Sequence, residues 1–503
     1  MKNARYIYPL VAIWSSLLYV YLQAIYLTPL QQITRLAFLA LPIFAGLLFV
    51  GYLITRNLNL SAMLSFWIIM GTLTNQRFFY TILGIVLISL MGSWLILFAR
   101  KLPYPKIVPE IIITSVIFAT FIFLFYTTAR ILINIPRVDN RSTGAPAIFS
   151  IPNNPPIDIY YLILDGYGSA NAIKEYLEYD NSEFITELEK RGFIVFKDAY
   201  SNYPRTVLSL SSSLNMNYVD KFTGDITKQK AWWLLTDKIK NSQVQMILES
   251  SGYKIITIGA WETAALDKNT LHPYLIETNE YEKFFIASTS VSYLEPLLSD
   301  LIAFPSFDMH RRYVTSGFHM IQLKSREPGP KFVYAHIISP HPPFVFDKDG
   351  NPTTPSYRYN TLDAAEYPGS KEEYRNGYVQ QIQFVNKNTL DTIDAILRNS
   401  SIPPIIIIQG DHGSGLYTDF FSPTQTCINE RFSILLAIYT PAIEQDTMAE
   451  YMTPVNIFRT IFNEYFDSNY EILPDRHYFI KGDQIYNYED VTSRVFETCD
   501  FTK

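Results

Sequence analysis

Four short stretches of the chain carry residue types able to hold a cation and a nucleophile. At 159–166 the run IYYLIL gives way to Asp165 and Gly166, a carboxylate at a strand end with a glycine to turn the chain. At 405–413 the run IIIIQ leads into Gly410, Asp411, His412 and Gly413. Adjacent Asp and His on a tight turn can ligate one ion, with the flanking glycines relieving steric strain. At 202–216, NYPRTVLSLSSSLNM crowds small hydroxyl residues at the start of a helical pattern, with Thr206 first and Arg205 just before it. A hydroxyl at a helix N-terminus faces backbone N–H groups and the positive dipole end, which favours an alkoxide and binds anions. At 336–344, HIISPHPPF sets His341 in a proline-stiffened loop past a strand, a good place for a ligand or phosphate contact. His336 lies inside the apolar run and reads as a packed histidine or one that braces a ligand.

Taken singly, each has an ordinary structural explanation: a turn-capping Asp, an N-cap Thr, a loop His, an exposed Arg. Together, Asp165, Thr206, Asp411 and His412 make an oxygen-rich set with one imidazole, suited to Mn²⁺, Zn²⁺ or Mg²⁺. A metal on the Thr206 hydroxyl would lower its pKa. The hydroxyl would then form a covalent ester intermediate, splitting one hard displacement into two. Arg205 is a candidate to steer the phosphate, and His341 to contact the substrate.

These residues need a scaffold. Apolar runs rich in Ile, Val and Tyr occur at 159–164, 193–196, 254–259, 331–338, 405–409 and 432–439. They are near-continuous, as in strands buried on both faces. Helical patterns alternate with them at 182–192, 237–253, 379–399 and 453–466, the last with Thr453 as N-cap and Pro454 at the first helical position. Alternating strands and helices predict an α/β domain around a mainly parallel sheet over 158–503. In such sheets ligands bind at the carboxyl ends of strands.

The N-terminal part differs. Spanning a bilayer takes roughly 20 apolar residues, and five candidate spans fall at about 6–27, 36–54, 59–74, 78–98 and 110–133, making residues 1–135 a transmembrane region. Inner segments carry Lys2, Arg5, Arg56, Arg100, Lys101 and Lys106, against Arg35 and Arg77 outside, so the N-terminus is placed inside. Five spans then put the α/β domain on the extracytoplasmic face. No midspan charge marks a transport path, so the bundle reads as an anchor and a lipid-facing platform. Residues 136–157 have proline-rich linker composition.

The net charge of −6, with no long basic run, gives no support to nucleic-acid binding. The two cysteines, Cys427 and Cys499, lack metal-binding spacing; outside the cytoplasm they are free to pair, or they are unrelated thiols.

The strand end LILDGYG, the segment AYSNYPRT, the loop PHPPF and the turn GDHG stand in the chain order of the alkaline phosphatase superfamily. The sequence most closely resembles the sulfatase-like branch that includes lipoteichoic acid synthases and lipid A phosphoethanolamine transferases. The resemblance implies an N-terminal helix bundle followed by a sulfatase-like α/β domain. It implies metal ligation by Asp165, Thr206, Asp411 and His412, Thr206 as nucleophile, and His341 at the substrate head group or a second metal. Two departures stand out. No Cys or Ser has the C/S-x-P/A-x-R context of formylglycine, which disfavours sulfatase turnover of that type. A complete second metal site is also not assignable.

The expectation is a membrane-anchored, metal-dependent phosphotransferase or phosphodiesterase. Its substrate would be a phospholipid-derived or envelope phosphate ester, with a membrane lipid or envelope glycan as partner. The alternatives are a sulfuric or phosphoric monoester hydrolase without formylglycine, and a non-catalytic membrane binding or assembly protein that keeps the fold.

Overall fold

In the computed structural model, residues 6–72, 107–134, 157–223, 232–259, 278–294, 297, 305–441, 452–482 and 486–499 are described. The chain divides into two compact units, 1–137 with 273–305, and 138–272 with 306–503.

The first unit contains the helices Tyr8–Ala24, Thr34–Thr55, Leu58–Thr72 and Ile107–Asn134. Two stretches, Leu30–Thr55 and Ile117–Asn134, are helical, long and apolar enough to cross a membrane. Their outward residues are large and apolar: Phe38, Phe125 and Ile133 are each more than 70% exposed (73%, 77% and 77%). Water would not leave such a surface uncovered. Tyr8–Ala24 is mostly buried among the other helices. The expected span at 78–98 and the expected linker at 136–157, apart from residue 157, lie outside the described residues.

One segment departs from the expected domain limits. The helix Glu280–Ser288 belongs to the first unit although its sequence lies far inside 158–503. Asn279 starts it with a capping box to Glu282. Tyr281 donates its hydroxyl to Leu17 O (2.7 Å), Asn279 Nδ2 donates to Gln32 O (3.0 Å), and Arg35 forms an ion pair with Glu282. Nothing in the soluble-looking composition of this segment signals that docking.

The second unit is built on a six-stranded sheet. Its strands are β1 (Ile159–Leu164), β2 (Ile194–Val195), β4 (Lys254–Gly259), β5 (Lys331–Ile337), β6 (Ile405–Gln409) and β8 (Leu436–Tyr439). Two small ribbons accompany it, β3 (Ala199–Tyr200) with β7 (Ser433–Ile434), and β9 (Tyr478–Ile480) with β10 (Tyr488–Asp490). The order across the main sheet is β2-β8-β6-β1-β5-β4. β4, β5, β1 and β6 are parallel; β8 and β2 run antiparallel at one edge. The sheet is therefore mainly parallel, as expected.

β1 explains why the apolar runs do not alternate. Ile159, Tyr161 and Ile163 face one core with the helices Thr206–Leu214 and Pro454–Tyr465. Tyr160, Leu162 and Leu164 face a second core with the helices Phe307–Lys324 and Lys371–Asn399. Both sets are at most 2% exposed, so every residue of the strand is apolar.

Some local expectations are corrected. The pattern at 237–253 is two helices, Trp232–Lys240 and Gln243–Ser250, because Ser242 caps the second with its side chain. The run at 432–439 splits into β7 and β8. The long helix begins earlier, at Lys371, behind a Ser370–Glu373 capping box. Thr453 precedes its helix, but its hydroxyl donates to Asp475 (2.7 Å) rather than capping.

Cys427 and Cys499 form a disulfide across 72 residues, tying the C-terminal segment to the short helix Ile428–Phe432. Loop-closure entropy puts the contribution of such a crosslink at about 4 kcal/mol. Cys499→Ala is therefore expected to lower the urea unfolding midpoint clearly, and reduced wild-type protein should unfold at the same midpoint as the variant.

Candidate active site

The three central strands are registered so that their carboxyl ends meet. Leu164 of β1 lies beside Ile337 of β5, and Ile163 beside Gln409 of β6. Asp165 follows β1 directly, and Asp411 and His412 follow β6 by two and three residues. The loop after β5 returns His341 N–H to Asp165 O (2.9 Å). Thr206 arrives from another direction. β3 pairs with β7, Ser201 N–H donates to Phe432 O (2.8 Å), and the chain then enters the helix Thr206–Leu214. Thr206 is the first residue of that helix and is 8% exposed.

These side chains converge. Thr206 Oγ1 lies 3.3 Å from His412 Nε2. The same nitrogen is 3.6 Å from Asp165 Oδ1 and 3.4 Å from Asp411 Oδ2. The other oxygen of each carboxylate is bonded: His336 Nε2 lies 2.9 Å from Asp165 Oδ2, and Gly166 N–H donates to Asp411 Oδ1 (2.9 Å). Asp165 Oδ1 and Asp411 Oδ2 are buried and receive no hydrogen bond among the described residues. Burying a carboxylate oxygen without a donor is costly unless a cation completes its surroundings. Both oxygens lie beside one imidazole nitrogen, and the Thr206 hydroxyl lies beside the same nitrogen. Ligand atoms of Asp165, His341 and His412 all lie within 4.8 Å of one another, as do those of Asp165, His336 and Asp411. The donor set thus fits a divalent cation of the oxygen- and imidazole-binding type.

Gly413 makes the turn possible. A Cβ there would stand 2.0 Å from Glu430 O, so the Asp-His turn can lie against the helix Ile428–Phe432 only with glycine at this position.

The electrostatics follow from burial and neighbours. Burial alone would raise the Asp165 carboxyl, but His341, His336 and His412 outweigh it and hold Asp165 well below the ordinary carboxylate range. Burial lowers the basicity of His412, with Arg431 adding to the effect, which favours the neutral, ligating imidazole. Burial also works against a charged His341, yet Asp165 and Asp363 overcome it and raise its pKa. His341 is thus the imidazole of the pair suited to carry a proton. Its Nε2 is 3.8 Å from Asp363 Oδ2, and its ring centroid is 6.0 Å from that of His412.

Arg205, the residue before Thr206, shares the Phe420 ring with Arg431. Its guanidinium lies over Phe420 (3.9 Å) and donates to Gly482 O (3.1 Å). His336 braces Asp165, one of the two roles read from its place in the strand.

Sequence reasoning missed Asp363, Arg431, Glu430 and His310. Arg431 and Glu430 stand on the helix Ile428–Phe432, both at most 2% exposed. Glu430 accepts from Leu416 N–H and Tyr417 N–H (2.9 Å each) and from Ser414, fixing the loop after His412. Asp363 lies in a tyrosine-rich loop with no local motif. His310 Nε2 meets Ile338 O (3.1 Å) behind the His341 loop, and burial pushes its pKa down to about 4. The one available signal was an Arg-Glu pair, Glu430 and Arg431, beside a cysteine within an otherwise strand-forming stretch.

The family model described as Sulfatase matches residues 158–463. The chain belongs to the Sulfatase family. No curated protein matches it. Among solved structures, the C-terminal periplasmic domain of EptC from Escherichia coli, in complex with Zn, is 13% identical over 70% of this chain and 98% of that one, with TM-score 0.42. The soluble domain of lipooligosaccharide phosphoethanolamine transferase A from Neisseria meningitidis is 12% identical over 64% and 91%, with TM-score 0.38. A 2-O GAG sulfatase is 12% identical over 62% and 71%, with TM-score 0.35.

Glu430 gives a prediction outside the reacting groups. Burial pushes its carboxyl from 4.5 up to about 7 in the folded protein. Between those values the folded state keeps a proton that the unfolded chain has released, so stability is full below pH 4.5 and falls as pH rises to about 7. The interval corresponds to roughly 3 kcal/mol. Denaturant midpoints measured from acid to neutral pH should show this slope in the wild type and not in Glu430→Gln, which should be the more stable of the two above pH 7.

Proposed function

We infer that this Sulfatase-family member is a metal-dependent, membrane-anchored phosphotransferase or phosphodiesterase that works through a covalent Thr206 ester. The observation that carries the reading is the placement of the Thr206 hydroxyl at a helix N-terminus, 3.3 Å from an imidazole nitrogen that also faces two carboxylate oxygens with no donor among the described residues.

Asp165, Asp411, His412 and Thr206 would hold the cation, Mn²⁺, Zn²⁺ or Mg²⁺. When bound it supplies Lewis acidity, favouring the alkoxide and offsetting charge on the ester. The chain's own residues do the rest. Thr206 Oγ1 attacks the phosphorus from the N-terminal end of its helix, where the dipole and free N–H groups favour negative charge. His341 stands at the cluster on the β5 loop, beside Asp363, and would give a proton to the departing oxygen. In the second half an acceptor hydroxyl, or water, attacks the phospho-Thr206, returns a proton to His341, and frees the Thr206 oxygen. Arg205, held by Phe420 and Gly482, is proposed to act on the substrate beyond this centre.

The apolar helices of the first unit support a lipid or lipid-linked envelope glycan as donor or acceptor. The Cys427–Cys499 disulfide supports an extracytoplasmic, oxidising compartment. The monoester or sulfate hydrolase reading draws on the family alone. Threonine in the nucleophile's place, without a formylglycine context, favours phosphoryl transfer over it.

The test uses p-nitrophenyl bis-ester, monoester and sulfate substrates on the full chain in detergent. Turnover is expected on the bis-ester, abolished by chelation and restored by one of the three metals. Thr206→Ala should lose about 10³-fold or more in kcat, and wild type quenched in turnover should yield a Thr206 peptide bearing phosphate. Asp165→Asn and Asp411→Asn should lose bound metal by elemental analysis. Full turnover in Thr206→Ala would overturn the nucleophile assignment.

A further inference from the structure

Arg431 is a buried cation whose fork is only partly used within the fold. Its Nε donates to Pro204 O (2.8 Å), two residues before the nucleophile. Its Nη1 donates to Asp363 Oδ2 (2.6 Å) and to Gly413 O (3.3 Å). Its Nη2 faces His412 Nε2 at 3.3 Å, the nitrogen that lies 3.3 Å from Thr206 Oγ1. The side chain is 2% exposed. A neutral imidazole nitrogen has one lone pair. When His412 Nε2 ligates a cation, that lone pair is taken, and the Nη2 protons need another acceptor beside the Thr206 hydroxyl.

Charge points the same way. Asp165, Asp411 and Asp363 are all buried around this point, and an arriving phosphate ester adds further negative charge. We propose that Arg431, aligned by Asp363, is the residue that receives the non-bridging oxygens of the ester attacked by Thr206. This rests on the reading of Thr206 as nucleophile. The Nη2 edge supplies the contact, and the guanidinium stays in place through its other two nitrogens. Lysine, with a single point charge, cannot hold Pro204 O, Asp363 and an ester oxygen together.

Asp363 has a positioning role. Its Oδ1 accepts from Tyr374 Oη (2.8 Å), which itself accepts from Gly415 N–H (2.8 Å). A Cβ on Gly415 would lie 2.5 Å from Asp363 Oδ1, so glycine permits the approach. Its Oδ2 lies between Arg431 and His341. One carboxylate thereby sets both the cation for the ester and the imidazole for the departing oxygen.

The test measures inorganic phosphate affinity by calorimetry on full-length protein carrying Thr206→Ala, so that no turnover intrudes. Metal content is recorded alongside, with and without added metal. Arg431→Gln and Arg431→Lys should each weaken phosphate binding about 10- to 100-fold, the range for one charge-assisted contact, with metal content unchanged. In the Thr206-containing protein the same substitutions should lower kcat more than they raise KM. Asp363→Asn should weaken phosphate binding less and slow substrates with poor leaving groups most. Phosphate affinity within twofold of the parent would overturn the proposal, as would a loss that merely tracks lost metal. If neither Arg431 variant forms the disulfide-linked fold, Arg431 is structural and the proposal falls. If Thr206→Ala proves active while Arg431→Gln loses phosphate, the nucleophile reading fails and the anion site stands.

Discussion

Asp165 and Asp411 bury two carboxylate oxygens that receive no hydrogen bond among the described residues, beside a single imidazole nitrogen. Like charges at this separation in a poorly solvated site repel strongly, and they persist as a pair only where positive charge can enter between them. Much of the local structure serves that arrangement. His336 and Gly166 N–H satisfy the outward oxygen of each carboxylate, so that only the inward ones are left bare. Three histidines keep Asp165 ionised against its burial. The in-register ends of β5, β1 and β6 bring the groups to one edge, and the β3–β7 ribbon carries Thr206 across to them.

How far the sequence revealed this depends on the distance over which each signal acts. The strand runs were legible because burial on both faces forces every position to be apolar, as in β1 and β6. Asp165, Asp411 and His412 were legible because a polar residue ending such a run stands at a strand's carboxyl end. Thr206 needed its helix start, and the family likeness raised it above an ordinary N-cap. Asp363 and Arg431 left no such trace. Their importance lies in a contact across 68 residues of chain, and neither sits at a strand end. The helix at 280–288 was missed for the same reason: its amphipathic pattern does not say which apolar partner it meets, and the partner is the N-terminal helix, contacted at Leu17.

Arg431 and Asp363 also explain why residues 411–431 fold as they do. Glu430 holds the N–H groups of Leu416 and Tyr417, Arg431 holds Gly413 O and Pro204 O, and Cys427 anchors the same short helix to the C-terminal segment. The Asp-His turn and the nucleophile's helix are thus fastened to one five-residue helix, Ile428–Phe432. A site that must hold a hydroxyl within a few tenths of an ångström of its partners gains from mounting both on one rigid piece.

The Arg35–Glu282 ion pair bears on the side of the membrane where this chemistry would occur. Counting spans from the sequence depends on every span being real, and one of the five lies outside the described residues. The ion pair does not depend on that count. Arg35 stands at the start of the second helix, in the connection that follows Tyr8–Ala24, and Glu282 comes from the chain between β4 and β5. Asn279 and Tyr281 bond Gln32 in the same connection. A charged pair with this many hydrogen bonds belongs at an aqueous end of a helix bundle, not in its hydrocarbon zone. The segment between β4 and β5 therefore shares a face with the first interhelical connection. With the N-terminus inside, as the lysine and arginine bias places it, that connection is external. On that charge bias we propose that the 280–288 segment meets the helix bundle on its extracytoplasmic side, the compartment to which an oxidised Cys427–Cys499 pair also belongs.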